Sequence, residues 1–431
     1  MIFINKNYNT MKYLKKFETH EDYEEYLTGG TIVKPNVSYC EDFDDVHYNP
    51  YVHDYSQDYF TTVALENGTI TFTPINSNVI SYSTDNGNTW TAGNSVTVES
   101  GDEVLWKGTM TPLQYEGIGN FSSTCNFDVQ GNIMSLLFGD DFKNQLSLEG
   151  KNYSFPELFY GLTKIINAEN LSLLATTLAD YCYRGMFGGC ISLITAPQLP
   201  ATTLTESCYQ GMFEGCTNLT TAPQLPATTL ADSCYNGMFN GCTSLTSAPE
   251  LPATTLTDWC YGRMFRGCTS LTSAPELPAT TLAEGCYNNM FYGCTSLTTA
   301  PELPATTLAD SCYQFMFYNC TSLTSAPELP ATTLVSSCYY YMFSNCTSLT
   351  SAPQLLATTL AQSCYGYMFR GCTNLNYIKA MFTTTPSSTY TYNWVSGVAA
   401  NGTFVKNSAA TWTTTGVNGV PTGWTVQTAS A

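Results

Sequence analysis

Between residues 174 and 375 the apolar positions recur with a fixed period of 26 residues, eight times over and without a slip. The copy at 225–250 reads LPATTLADSCYNGMFNGCTSLTSAPE. Leu230, Cys234 and Met238 stand at i, i+4 and i+8, with Tyr235 and Phe239 on the flank. That spacing predicts one apolar stripe on a short helix of about two to three turns. Thr229, Asp232 or Ser233 would be its N-cap. The position before the second cysteine holds Gly189, Gly215, Gly241, Gly267, Gly293, Asn319, Asn345 and Gly371 in turn. Gly and Asn are the residues that tolerate a left-handed backbone, so this position reads as the helix stop. Leu245 and Ala248 then alternate with polar residues, as in a short strand. Pro249 would end that strand, because proline has no N–H to give to a sheet.

A period of constant length in this range predicts a solenoid, in which each repeat buries against its neighbours an apolar face it cannot bury alone. The strands would form a parallel ladder. The run Phe239, Gly241, Cys242, Thr243, Ser244, Leu245 resembles the BspA-like leucine-rich repeats of bacterial and phage surface proteins. The segment ahead of it is longer than that family's shorter period provides. The resemblance covers nearly half the chain. It implies a leucine-rich-repeat fold and a role in adhesion and binding.

Eighteen cysteines invite a disulfide reading. On a helix, however, the two cysteines of one repeat lie eight residues apart, roughly 12 Å, beyond disulfide reach. A degenerate repeat, LFYGLTKI at 158–165, carries Leu162 at the second cysteine's place, so the slot accepts an ordinary apolar group. The expectation is two ladders of buried thiols, with disulfides between neighbouring repeats as the alternative. Zinc lacks support, since no CxxC spacing or histidine accompanies these cysteines.

The rest of the chain divides around this array. Residues 1–58 form a small acidic module with eleven Asp/Glu against five Lys. THEDYEEYL at 19–27 reads as a capped helix, with Thr19 and Asp22 as cap candidates. Glu41, Asp42, Asp44 and Asp45 with His47 and His53 read as a solvated acidic loop, with a cation site as the alternative. The wording NVSYCED followed by VHYNP resembles an N-terminal module of structural proteins from phages of gut Bacteroidales, which implies an attachment segment. Residues 59–145 alternate with period two and are split by Asn-Gly and Ser-Gly turns, as in an immunoglobulin-like β-sandwich. Within them Ser83, Asp85, Gly87, Thr89 and Trp90 resemble the Asp-box of sialidases, a structural hairpin. Residues 146–378 are the solenoid with its degenerate repeat as N-terminal cap. Residues 379–431 are a β-rich C-terminal cap, plugged by Trp394, Trp412 and Trp424. The fold class is thus mainly β with short helices.

Net charge is −19, which argues against nucleic acid or an anionic membrane as partner. No apolar run is long enough to span a bilayer, and the N-terminal stretch lacks the apolar core of a secretory signal. The three histidines all lie outside the repeats, and nothing points to an enzyme or a cofactor.

Comparing the repeats with one another shows which positions the fold leaves free. Two follow the tyrosine and one follows the phenylalanine. Toward the C-terminal half these become aromatic: Tyr292, Phe315, Tyr318, Tyr340, Tyr341 and Tyr367. Exposed aromatics in a row suit stacking on sugars or anchoring a protein, so these six are the candidate ligand-binding residues. The bland alternatives are drift or contact with other copies of the chain. A second row, Gln198, Gln224, Glu250, Glu276, Glu302, Glu328 and Gln354, reads as solvated, with calcium as the alternative. The functional expectation is a virion-borne binding protein of fibre or decoration type. It would hold other virion proteins through residues 1–58 and meet a host-surface glycan or protein through the repeats. A bacterial cell-surface adhesin and a purely structural decoration protein are the alternatives.

Overall fold

The computed structural model describes residues 53–429 and, nearer the N-terminus, the backbone of four strands. These are β1 (Ile2–Asn5), β2 (Leu14–Phe17), β3 (Asn36–Cys40) and β4 (Val46–His47). They form one antiparallel sheet in the order β2-β1-β3-β4. The helix expected at 19–27 lies outside the described residues. So do Glu41, Asp42, Asp44, Asp45 and the side chain of His47. Residues 1–57 make one compact unit and 58–431 a second.

The second unit opens with two sheets. One contains β5 (Phe60–Ala64), β7 (Ile80–Ser83), β8 (Thr91–Ala92), β10 (Glu103–Gly108) and β12 (Phe127–Asn132). The other contains β6 (Gly68–Pro74), β9 (Ser95–Val98) and β11 (Gly119–Ser123). Alternate residues point inward, and Phe60 and Trp106 of the first sheet meet Phe121 of the second at 5.4 Å between ring centres. Trp106 is fully buried, and its Nε1 donates to Thr62 Oγ1 at 3.0 Å, which removes the cost of burying that N–H. The Asp-box is the β7–β8 hairpin. Asp85 accepts from Thr89 N and Thr89 Oγ1, and Ser83 Oγ accepts from Gly87 N. The two Thr89 donors, and then Ser83 Oγ donating at 2.7 Å, hold the Asp85 carboxyl down at about 2.

The one α-helix among the described residues, α1 (Ser135–Phe138), follows β12. The first sheet then continues onto the repeats. β12 pairs in parallel with β13 (Leu171–Ser172), and Phe127 N and Val129 N donate to Lys164 O and Asn167 O at 2.9 and 3.0 Å. The degenerate repeat therefore does not end the array. It is itself covered by β12, and one apolar core runs from Phe60 to Trp424. The boundaries drawn at 145/146 and 378/379 do not interrupt that core.

The repeats contain no α-helix. In the copy around Cys234, successive N–H groups alternate between two partners. Cys234, Asn236, Met238, Asn240 and Cys242 donate to the carbonyl three residues back. Ser233, Tyr235, Gly237, Phe239 and Gly241 donate to Asp258, Cys260, Gly262, Met264 and Arg266 of the next repeat. Every fourth residue has positive φ: Ser233 at 56°, Gly237 at 65° and Gly241 at 77°. Each sits third in a four-residue turn, where a type II turn requires that sign. The chain is thus a run of tight turns with a side-chain period of four. A period of four places Leu230, Cys234 and Met238 in one row as a helix would, which is why the spacing reads as helical. The Gly/Asn position is left-handed as expected, but it closes a turn and not a helix.

The strand expected at Leu245–Ala248 shrinks to a parallel bridge at Ser247 with Ser273. Pro249 and Pro252 remove the donors that would extend the ladder. Packing along the array is ring on ring. Tyr183, Tyr209, Tyr235, Tyr261, Tyr287, Tyr313, Tyr339 and Tyr365 form one row, with centroid spacings such as 5.8 Å for Tyr209–Tyr235. A second row runs from Phe159 through Phe187 and Phe213 to Phe369.

Beyond residue 375 the sequence period stops, yet the structural repeat goes on. Phe369 N and Gly371 N donate to Trp394 O and Ser396 O, and Trp394 closes both ring rows at 6.3 Å from Tyr365 and 6.1 Å from Phe369. Strands β14 (Tyr377–Ala380), β15 (Thr403–Lys406) and β16 (Thr425–Thr428) pair in parallel beside it. Trp394, Trp412 and Trp424 are all buried, and each indole N–H reaches a backbone carbonyl. The described residues include no helix long and apolar enough to cross a membrane.

Candidate functional site

The six aromatic residues singled out by comparing repeats come together on one face of the array. They are half-buried rather than fully exposed, because they pack on one another. Tyr292 stacks on Tyr318 with centroids 4.6 Å apart. Phe315 stacks on Tyr341 at 4.7 Å, and Tyr341 on Tyr367 at 4.2 Å. Tyr340 meets Tyr341 edge-on at 4.8 Å and Tyr367 edge-on at 5.8 Å. Tyr318 Oη accepts from Asn345 Nδ2 at 3.2 Å. Burial, then a hydrogen bond with Tyr367, pushes the Tyr341 hydroxyl up to about 12, so it stays a neutral phenol near pH 7.

Turn geometry sets the cost of this face. The second left-handed position of each repeat is Gly185, Gly211 and Gly237 in the first three copies. In later copies it is Arg263, Asn289, Phe315, Tyr341 and Tyr367, at φ between 55° and 58°. A bulky residue at positive φ is an outlier and points to a local purpose.

Comparison of repeats did not single out four further residues: Trp259, Tyr392, Arg266 and Arg370. Trp259 takes the first left-handed slot at φ 58°, where other copies carry Ser207, Ser233 or Ser311. A Cβ on Gly285 would come within 2.7 Å of its ring, so glycine is what lets Trp259 lie there. The serine-to-tryptophan change in that slot was the available signal. Tyr392, exposed and 5.1 Å edge-on from Tyr367, belongs to the repeat that has no sequence period. Arg266 and Arg370 occupy variable positions and cap the aromatic run. Their guanidinium carbons lie 4.9 Å from the Tyr292 centroid and 5.8 Å from that of Tyr367.

The cysteines of the repeats are free and buried, in two rows with different jobs. Each second-row thiol donates to the phenylalanine carbonyl of the preceding repeat, as Cys242 Sγ does to Phe213 O at 3.1 Å. The same bond recurs from Cys190 to Cys372. First-row thiols such as Cys234 are fully buried and fill space in the core. Burial pushes thiols of both rows, Cys182 and Cys190 among them, up to about 12, which suppresses the reactive thiolate. Glu250 and Glu276 line an open cleft of about 350 Å³ with Pro249, Pro252, Pro275 and Pro278. Among the described residues no three His, Cys, Asp or Glu side chains converge as metal ligands would.

A fixed interior of stacked rings and thiols, carrying one variable surface, defines a repeat scaffold. The family description BspA type Leucine rich repeat region matches residues 157–289 and 263–397, in six copies and over more than half of the chain. The chain belongs to the BspA-type leucine-rich-repeat family. Repeats of this family are typically non-enzymatic binding scaffolds and mark a surface or adhesion-type protein. No curated protein matches the chain.

Proposed function

We propose that the repeats form a solenoid whose aromatic face binds a glycan or protein of a cell surface. One observation carries this reading: Phe315, Tyr341 and Tyr367 sit at left-handed φ where earlier copies use glycine. Placing an L side chain there costs about 1–2 kcal/mol per residue. Glycine serves the ladder equally well, since Gly237 N and Tyr341 N both donate to the next repeat. Stacking offsets part of the cost, but the fold does not require these rings. The two-sheet segment at 59–145, read as an immunoglobulin-like module, is continuous with the array and would hold the binding face at a fixed orientation. The triple variant Phe315→Gly, Tyr341→Gly, Tyr367→Gly should keep its far-ultraviolet circular dichroism and lose adhesion to target cells. Undiminished adhesion would sink the proposal.

A virion-borne setting is favoured over a bacterial cell surface by the wording of residues 36–50 alone. Mass spectrometry of purified phage particles separates the two settings, and absence of the chain from them removes the virion.

A further inference from the structure

The eight repeats contain four cationic side chains, all arginine: Arg184, Arg263, Arg266 and Arg370. All four stand at the variable positions. From the fourth repeat to the eighth those positions hold no carboxylate, in a chain whose net charge is −19. Arg263, Arg266 and Arg370 are exposed, and among the described residues none of them pairs with a carboxylate. The nearby Asp258 and Asp310 are engaged instead with the backbone: their Oδ1 atoms accept from Glu284 N and Ser336 N at 3.0 and 3.2 Å.

Ring orientation decides what the face can offer. Arg266, Tyr292, Tyr318, Tyr341, Tyr367 and Arg370 form one continuous run, with successive separations of 4.9, 4.6, 6.0, 4.2 and 5.8 Å. Tyr292 and Tyr318 cover one face of each other, Phe315 and Tyr367 stack on Tyr341, Tyr318 and Tyr341 meet at a tilt of 56°, and a guanidinium lies over each outermost ring. A platform for neutral sugars needs open ring faces. What remains is a rim of phenolic hydroxyls and ring edges with the half-buried amides of Asn289 and Gln314; Asn288, buried beneath, donates to Gln314 Oε1 at 3.0 Å. A guanidinium stacked on a ring keeps its in-plane N–H donors free, in the fork that matches a carboxylate or sulfate. The Debye length in physiological salt is about 8 Å, so a ligand on this face responds to these arginines more than to distant carboxylates.

Building on the binding-face reading above, we infer that the ligand is an acidic polysaccharide. Its uronate or sulfate groups meet Arg266 and Arg370, four repeats or on the order of 20 Å apart. Its hydroxyls meet the tyrosine and amide rim between them. An acidic peptide is the competing polyanion, and the poly-glutamate arm of the test below separates it from the polysaccharide.

The test titrates the full chain calorimetrically with an alginate uronate oligosaccharide, a chondroitin sulfate oligosaccharide, a neutral dextran oligosaccharide and poly-glutamate. The expected result is binding to the uronate or the sulfated chain and none to dextran. Arg266→Gln and Arg370→Gln should each weaken that binding about tenfold. Dextran bound as tightly as the acidic sugars, poly-glutamate bound in their place, no acidic sugar bound at all, or unchanged affinity in the double glutamine variant would each overturn the inference. Adhesion lost in the glycine triple variant but kept in the double glutamine variant removes the acidic ligand and leaves the binding face standing.

Discussion

The first three repeats and the last three share an interior and differ in their skin. Phe213 lies between Phe187 and Phe239 at 5.6 and 5.7 Å; Phe343 lies between Phe317 and Phe369 at 5.5 and 5.9 Å. Cys242 and Cys346 donate to the equivalent carbonyls at 3.1 and 3.0 Å. At the second left-handed position, however, the early copies carry Gly185, Gly211 and Gly237, and the late ones Phe315, Tyr341 and Tyr367. The backbone demands the same φ in both halves. Glycine meets that demand at no steric cost, so the early half shows what folding alone asks of the position. The late half shows a departure from it, and the departure is confined to one face.

Three measurements press on this contrast. The largest effect should come from the shared interior: Phe213→Ala and Phe343→Ala each remove a fully buried ring from a stack and should cost about 3–5 kcal/mol in denaturant unfolding. The two losses should agree closely. A much smaller loss in either half would mean that the interiors are not equivalent. The thiol rows come next. Serine at Cys234 or Cys338 buries a hydroxyl at a space-filling position, at about 1–3 kcal/mol. Serine at Cys242 or Cys346 retains a donor facing the Phe213 or Phe317 carbonyl and should be the milder change in both halves. Equal losses in the two rows would contradict the division of labour between them. The smallest effect belongs to the skin. Gly237→Tyr should destabilise the early half by about 1–2 kcal/mol. Tyr341→Gly should leave the melting temperature within a few degrees of the parent, because relieved strain offsets lost stacking. A collapse of stability in Tyr341→Gly would reassign the aromatic row to folding.

Placement of the candidate residues was largely legible from sequence, and their geometry was not. Because every core position repeats, the positions that change stand out, and that alone brought Tyr292, Phe315, Tyr318, Tyr340, Tyr341 and Tyr367 onto one face. Their mutual stacking escaped it, since a list of positions does not say whether rings point outward or lie on each other. Trp259 was hidden in a slot that otherwise looked like a cap. Tyr392 was hidden because Trp394 plugs the end of the array in a segment whose sequence no longer resembles a repeat.

The chain's period determined that it would stack, since 26 residues with apolar side chains on two faces must find a neighbour for the second. The two cysteine rows and a left-handed Gly or Asn before each second cysteine were determined with it; that this residue closes a turn was not. Whether Leu230, Cys234 and Met238 lie on a helix or on successive turns was decided only in three dimensions. Both give these residues one face, and the difference lies in where the N–H groups go. In a helix each would be satisfied four residues back, within its own repeat. Here Tyr235 and Phe239 donate to Cys260 and Met264 of the next repeat, and those partners exist only once the repeats are stacked.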